Sequence, residues 1–305
     1  MGKLAFVFPG QGVQTPKMGK DFYEQSEDAR RIYQLASKAA KLDVEEICFT
    51  ENERLHITEY TQIALLATEV AMLTEVRNRG IRPDVCAGLS LGEYAALAVS
   101  GAMEYADLFE VIRKRGKYMQ EACPEGGAMM AILGQDVENV EKICEDTDGI
   151  VCIANDNCPG QIVISGEEEA VLSAGKAISA AGAKRCIRLN VSGPFHSPLL
   201  SGASDRLREA LAGKEIRGIE IPYVSNTTAG LVTDPGDVKE LLIRQVASSV
   251  RFRESILTMK EMGVDTFVEI GPGKTVAGFI KRTDKESRVI NIETYEDLEK
   301  LKELQ

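Results

Sequence analysis

One stretch restricts the possible folds more than any other. Val85-Cys86-Ala87 is a short apolar run that meets Gly88-Leu89-Ser90-Leu91-Gly92 and continues with Tyr94, Ala95, Leu97 and Ala98 at helical spacing. The G-x-S-x-G pattern marks a sharp turn from strand to helix. Its two glycines remove Cβ atoms that would collide as strand and helix pack together. Ser90 Oγ is then pushed out at the end of a sheet. The backbone N–H of Leu91 lies at a helix N-terminus, where negative charge is stabilised. An ordinary helix cap is the bland alternative; a nucleophile beside a donor for a developing oxyanion is the functional one.

The rest of the chain fits a sheet with helices on its faces. Lys3 to Phe8 reads as a strand stopped by Pro9-Gly10-Gln11-Gly12, a tight loop at a strand's carboxyl end, where open α/β sheets build their sites. A polar helix is expected from about Lys20 to Lys41. A long amphipathic helix is expected after Thr58, carrying Ile63, Leu66, Ala67, Val70 and Leu73 and ending at Gly80. Another helix is expected over Glu104 to Cys123, closed by Pro124-Glu125-Gly126-Gly127. After Pro194-Phe195-His196, helices are expected near Leu199 to Leu211, Asp237 to Ser248 and Phe252 to Met262. Strands are expected at Ile219 to Val224, Thr266 to Ile270 and Val289 to Ile292, followed by a terminal helix from Leu298 to Leu304.

Between these parts the rhythm changes. Strand 128–133, helix 137–145, strand 150–154, strand 161–165, helix 167–181 and strand 184–189 give the order β-α-β-β-α-β of a ferredoxin-like unit. The expected architecture is therefore α/β. Residues 1–125 and 193–305 would form a large domain with a mostly parallel sheet and an α/β-hydrolase-like core. Residues 126–192 would form a small inserted ferredoxin-like α+β domain.

Composition narrows the function classes. A 305-residue chain with 44% hydrophobic and 27% charged side chains is globular, and a net charge of −11 argues against general nucleic-acid binding. Basic runs such as Arg113-Lys114-Arg115-Gly116-Lys117 and Lys184-Arg185 could still meet an anionic partner. No apolar stretch reaches the roughly 18 to 20 residues of a membrane span, and Met1-Gly2-Lys3-Leu4 leads into a strand rather than a signal peptide. The expected compartment is the cytoplasm. Seven scattered cysteines without C-x-x-C, and two histidines, offer neither a disulfide framework nor a zinc site.

A serine hydroxyl needs a base within hydrogen-bond reach. His56 lies in a polar segment with no turn to aim it and reads as a surface residue. His196 stands in Gly193-Pro194-Phe195-His196-Ser197-Pro198, where two prolines fix the backbone as the chain re-enters the large domain. In hydrolases sharing the turn, histidine comes near the C-terminus, whereas more than a hundred residues follow His196 here. No obvious acid stands between Ser90 and His196, so a backbone carbonyl could hold the imidazole instead. Gly271-Pro272-Gly273-Lys274-Thr275 follows a strand and opens a helix, but a Walker loop would need glycine where Val268 stands. Helix packing is the expected role of that loop.

Taken together, Phe8 to Gly12, Gly88 to Glu93, Arg115 to Gln120, Asn157 to Gln161, Gly193 to Ser197 and Glu269 to Gly273 resemble the malonyl-CoA:acyl-carrier-protein transacylase family of bacterial fatty acid synthesis. The resemblance covers essentially the whole chain. It implies that Ser90 carries the acyl group, that His196 is the base, and that the backbone N–H groups of Gln11 and Leu91 form an oxyanion hole. It implies that the backbone carbonyl of Gln245 orients His196 and that Arg115 grips the malonyl carboxylate. Phe195 would limit room for a 2-methyl branch, and Asn157, Gln161 and Arg185 would meet coenzyme A or its pantetheine arm. Leu89 departs from the histidine many relatives carry before the serine. The partners implied are malonyl-CoA and acyl carrier protein, with no resident cofactor or metal and a monomeric chain. The same turn could serve a serine esterase or thioesterase, with water as acceptor, or persist in a non-catalytic carrier-binding scaffold.

Overall fold

Strand β1 (Lys3–Phe8) is buried on both faces over its last four residues, as a strand inside a parallel sheet must be. In the computed structural model, which describes residues 2–122, 126–191 and 193–305, β1 lies parallel to both β2 (Val85–Gly88) and β9 (Val264–Ile270). The six-stranded sheet has the order β10-β9-β1-β2-β7-β8, with β7 (Tyr223–Val224), β8 (Leu231–Val232) and β10 (Arg288–Ile292). Only the β7–β8 edge pair is antiparallel. Because Phe8 stands opposite Gly88, the loop after β1 and the turn after β2 emerge side by side at the carboxyl end.

Three short helices, α1 (Lys20–Gln25), α2 (Glu27–Ala40) and α3 (Val44–Phe49), precede α4 (Thr58–Asn78). The single polar helix expected over 20–41 is broken at Ser26. Its backbone is extended there and its Oγ accepts the Ala29 N–H at 3.1 Å while donating to Glu75 at 2.6 Å. The hydroxyl therefore caps α2 rather than facing solvent. Helix α4 is buried nearly all round rather than amphipathic, because α2, α3, α5 (Gly92–Ser100) and α6 (Tyr105–Glu121) all pack on it. The expected strand 219–224 shortens to β7, since Pro222 has no N–H for a ladder and contributes only its carbonyl, to Cys86 at 3.1 Å. The terminal helix is a 3-10 helix from Tyr295 to Leu304, started by a Thr294–Asp297 capping box.

The second sheet holds β3 (Gly127–Leu133), β4 (Val151–Cys158), β5 (Gln161–Glu167) and β6 (Arg185–Arg188) in the order β4-β5-β3-β6, every pair antiparallel. Helices α7 (Val137–Glu145) and α8 (Glu168–Ala180) pack on it over a separate apolar cluster that includes Ile132, Val140 and Ile164. The expected junctions at 125/126 and 192/193, and the expected helix end at Cys123, touch residues outside the described ranges. Helices α11 (Phe252–Glu261) and α12 (Thr275–Thr283) pack on the first sheet, α10 (Pro235–Gln245) meets its β8 edge, and α9 (Ser201–Ala212) packs against α6 and α10. The second sheet meets the rest of the chain where Asn155 of β4 bridges Val250, just before α11, and Arg253 of α11 pairs with Asp156 at 2.8 Å.

Candidate active site

The turn after β2 leaves no space for side chains at its glycines. A Cβ on Gly88 would lie 1.9 Å from the Gly92 carbonyl carbon, and one on Gly92 would lie 2.5 Å from the Phe8 carbonyl oxygen. Ser90 sits at φ +52°, a strained position for a residue with a Cβ. Asn226, just past β7, holds this backbone in place. Its Oδ1 accepts the Ser90 N–H at 2.6 Å and its Nδ2 donates to the Gly88 carbonyl at 2.7 Å.

His196 also has a positive φ, +58°, between Pro194 and Pro198, and Ser197 Oγ donates to the Pro194 carbonyl at 2.6 Å. Its Nδ1 lies 2.9 Å from the Gln245 carbonyl oxygen and its Nε2 2.7 Å from Ser90 Oγ. A carbonyl can only accept, so Nδ1 carries the proton and Nε2 offers its lone pair to the serine. Burial, with the nearby Arg115 charge, lowers the His196 pKa to about 4. The imidazole is thus neutral and able to accept a proton at neutral pH.

Arg115 is 1% exposed on α6. Its guanidinium donates to Gln62 Oε1 at 2.7 Å, to Gln245 Oε1 at 3.0 Å and to Ser90 Oγ at 3.2 Å, and stands over the Tyr94 ring at 5.5 Å. Its neighbours on the basic run point the other way. Arg113, Lys114 and Lys117 pair with Glu59, Glu110 and Glu121, so these charges are already matched within the chain. Below Ser90, the Gln245 side chain donates to the Ser90 carbonyl at 2.9 Å and to Glu93 Oε2 at 2.5 Å. Glu93 is fully buried, and burial pushes its carboxyl up to about 7.

A cleft of about 500 Å³ opens over Ser90 and His196, walled by Gln11, Ser90, Leu91 and His196 on one side and by Met129, Asn157 and Val163 on the other, with Gln62 in its lining and Arg115 buried behind it. Leu91 has right-handed helical backbone angles at the start of α5. Phe195 lines the cleft and is buried, as does Asn157, whose Oδ1 has no partner among the described residues. Two expected contacts lie elsewhere. Gln161 accepts from Arg282 at 2.5 Å, and Arg185 is exposed on β6; neither is part of the cleft wall. His56 is exposed, as expected, but stands on the rim of this cleft.

N–H groups in the first turn of the helix after the β9 glycine loop are taken within the chain. The buried Glu269 carboxylate itself caps α12, accepting the N–H groups of Val276 at 2.9 Å and Ala277 at 3.0 Å. Burial raises Glu269 to about 7, and raises the adjoining buried Glu69 well above the usual carboxylate range. Gln62, Glu93 and Asn226 were not singled out from the sequence. Glu93 enters the sequence reading only as the last residue of the Gly88 to Glu93 motif, and amides carry no sequence signal. Among the described residues, no cluster of His, Cys, Asp or Glu has metal-binding form and no helix is long and apolar enough to cross a membrane.

The acyl transferase domain family model matches residues 5–303. The malonyl CoA-acyl carrier protein transacylase of Bacillus subtilis is 43% identical over 304 residues, covering 98% of this chain and 96% of the relative. A crystal structure of the malonyl CoA-acyl carrier protein transacylase from Clostridium perfringens superposes with TM-score 0.95 at 42% identity, covering 99% of this chain and 97% of the other. A type II PKS acyl-carrier protein in complex with its malonyl-transacylase gives TM-score 0.96 at 36% identity, covering 99% and 100%. With sequence and fold alike along nearly its full length, the chain belongs to the acyl transferase family that these malonyl CoA-acyl carrier protein transacylases represent.

Proposed function

We propose that this enzyme moves a malonyl group from malonyl-CoA to the phosphopantetheine thiol of acyl carrier protein, for fatty acid synthesis, through an ester on Ser90. The observation that carries the reading is the chain Gln245 carbonyl, His196, Ser90 Oγ, with Arg115 Nη2 3.2 Å from the same oxygen. His196 Nε2 takes the hydroxyl proton as Ser90 Oγ attacks the thioester carbonyl. The N–H groups of Gln11 and Leu91 receive the oxyanion. As the C–S bond breaks, the imidazolium returns the proton to coenzyme A sulfur. The carrier thiol then gives its proton to His196 and attacks the ester, and Ser90 leaves with that proton.

Arg115 supplies selectivity for a dicarboxylic acyl unit. Its fork meets a carboxylate with two charge-assisted bonds, and an acetyl group would leave the buried charge without that partner. There is a second effect. Arg115 depresses the basicity of His196, so a carboxylate placed on the guanidinium restores base strength when the acyl group to be transferred has arrived. Asn157 contacts the pantetheine arm from the cleft wall, and Gln161 and Arg185 contact coenzyme A outside it. Phe195 crowds the acyl pocket.

The reading includes a discontinuous hydrolase-like domain, 1–125 and 193–305, holding Ser90, His196 and Arg115, and a ferredoxin-like insertion, 126–192, forming the opposite wall. The strand order β4-β5-β3-β6 supports the insertion. The enzyme acts as a cytoplasmic monomer without a resident cofactor.

Intact-mass measurement after mixing with malonyl-CoA tests the mechanism. A single malonyl adduct is expected on the wild type, none on Ser90→Ala, and loss of the adduct when holo carrier protein is added. An adduct surviving Ser90→Ala rejects the nucleophile. Rapid release of free malonate without carrier would make the enzyme a thioesterase.

A further inference from the structure

We propose that Glu93 is a positioning residue that exchanges charge with the substrate: forming the malonyl ester on Ser90 draws a proton from solvent onto the Glu93 carboxylate. The inference rests on the malonyl reading above and adds to it.

Arg115 reaches Glu93 through a single amide, since Gln245 Oε1 accepts from the guanidinium at 3.0 Å and Gln245 Nε2 donates to Glu93 Oε2 at 2.5 Å. The Asn226 N–H adds a bond to the same oxygen at 3.2 Å, while Oε1 has no partner among the described residues. The other groups on the guanidinium, Gln62 and Ser90, are neutral. In the free enzyme Glu93 is therefore the counter-charge of Arg115, in a site where both are buried.

A malonyl carboxylate seated on Arg115 brings a second anion to one cation. Two carboxylates close together in a low-dielectric site do not both stay ionised. The substrate holds the guanidinium directly and Glu93 only through Gln245, so Glu93 is the group that yields. Burial has already moved it to about 7, within reach of a solvent proton. The remaining titratable groups around it do not compete. Arg115 on α6 stays cationic, and burial keeps the Tyr94 phenol on α5 and the Tyr223 phenol on β7 neutral. His196, across Arg115, begins from about 4. A protonated Glu93 still accepts from Gln245, so the clamp on the Ser90 backbone persists through the change.

The test counts protons with a pH indicator in weak buffer while malonyl-CoA acylates the enzyme, with the adduct measured in parallel by mass. At about pH 7.5, uptake of between about half and one proton per malonyl ester is expected, and the part of it that Glu93→Gln removes vanishes at about pH 5.5, where Glu93 is already protonated. Glu93→Gln abolishes the uptake at the higher pH. Ester formation in the wild type without proton uptake at about pH 7.5 overturns the proposal, and needs no variant to fold. Uptake that persists in Glu93→Gln moves the proton to another group and also overturns it. Absence of any ester defeats the malonyl reading instead, so the two failures are distinguishable.

Discussion

Replacing Arg115 by alanine separates selectivity from catalysis. The side chain is 1% exposed, and its three hydrogen bonds converge on Gln62, Gln245 and Ser90. In the proposed function a bound malonyl carboxylate would take two charge-assisted bonds from the guanidinium, each worth ~1.5 to 3 kcal/mol, about 3 to 6 kcal/mol in sum. At about 1.36 kcal/mol per tenfold, kcat/KM for malonyl-CoA falls roughly 10²- to 10⁴-fold. Acetyl-CoA never had those bonds. Its transfer suffers only from looser packing, while His196 gains basicity once the guanidinium is gone. The malonyl-to-acetyl preference should therefore collapse by a factor close to the malonyl loss. Arg115→Lys keeps the charge without the fork and should fall between the two. The assay is discharge of each acyl-CoA by holo carrier protein, with a thermal melt to verify folding, because Gln62 and Gln245 each lose a donor. An equal loss for malonyl and acetyl would refute the carboxylate-binding argument and leave Arg115 as a support for Ser90 alone.

Three further expectations rest on the same geometry. With His196 held at about 4, the acid limb of kcat/KM should fall only as pH drops through that region, where Nε2 takes up a proton; an acid limb centred near 6.5 would contradict the buried, Arg115-facing imidazole. The linked effect on stability has a definite sign. An unfolded histidine binds a proton near pH 6.5 and the folded one does not, so this residue's contribution to stability falls as pH drops from about 6.5 to about 4. Gly88→Ala places a methyl 1.9 Å from the Gly92 carbonyl carbon and should cost ~3 kcal/mol or more, read as a lower Tm; an unchanged melt would mean the turn is not as tight as described.

Where a function depends on neighbours along the chain, the sequence already contained it. The turn at Ser90 is local: glycines two residues to either side can be recognised without knowing what packs against them, and so can the proline-framed His196. The alternation of strands and helices likewise announced a parallel sheet, and Val268 excluded a nucleotide loop. The roles given to Arg115 and to the Gln245 carbonyl came from likeness to a family rather than from spacing. Groups joined only through space left no trace. Nothing about Glu93, Gln62 or Asn226 as letters shows that they support Ser90 and Arg115 from below; their meeting depends on β7 lying beside β2 and on α4, α6 and α10 gathering around α5 and its turn. The burial of α4 on every side was hidden for the same reason, since periodicity reports one apolar face and cannot count how many neighbours arrive. Local backbone chemistry was thus determined by the sequence itself, whereas the desolvation that sets His196 near 4 and Glu93 near 7 exists only once distant segments exclude water together.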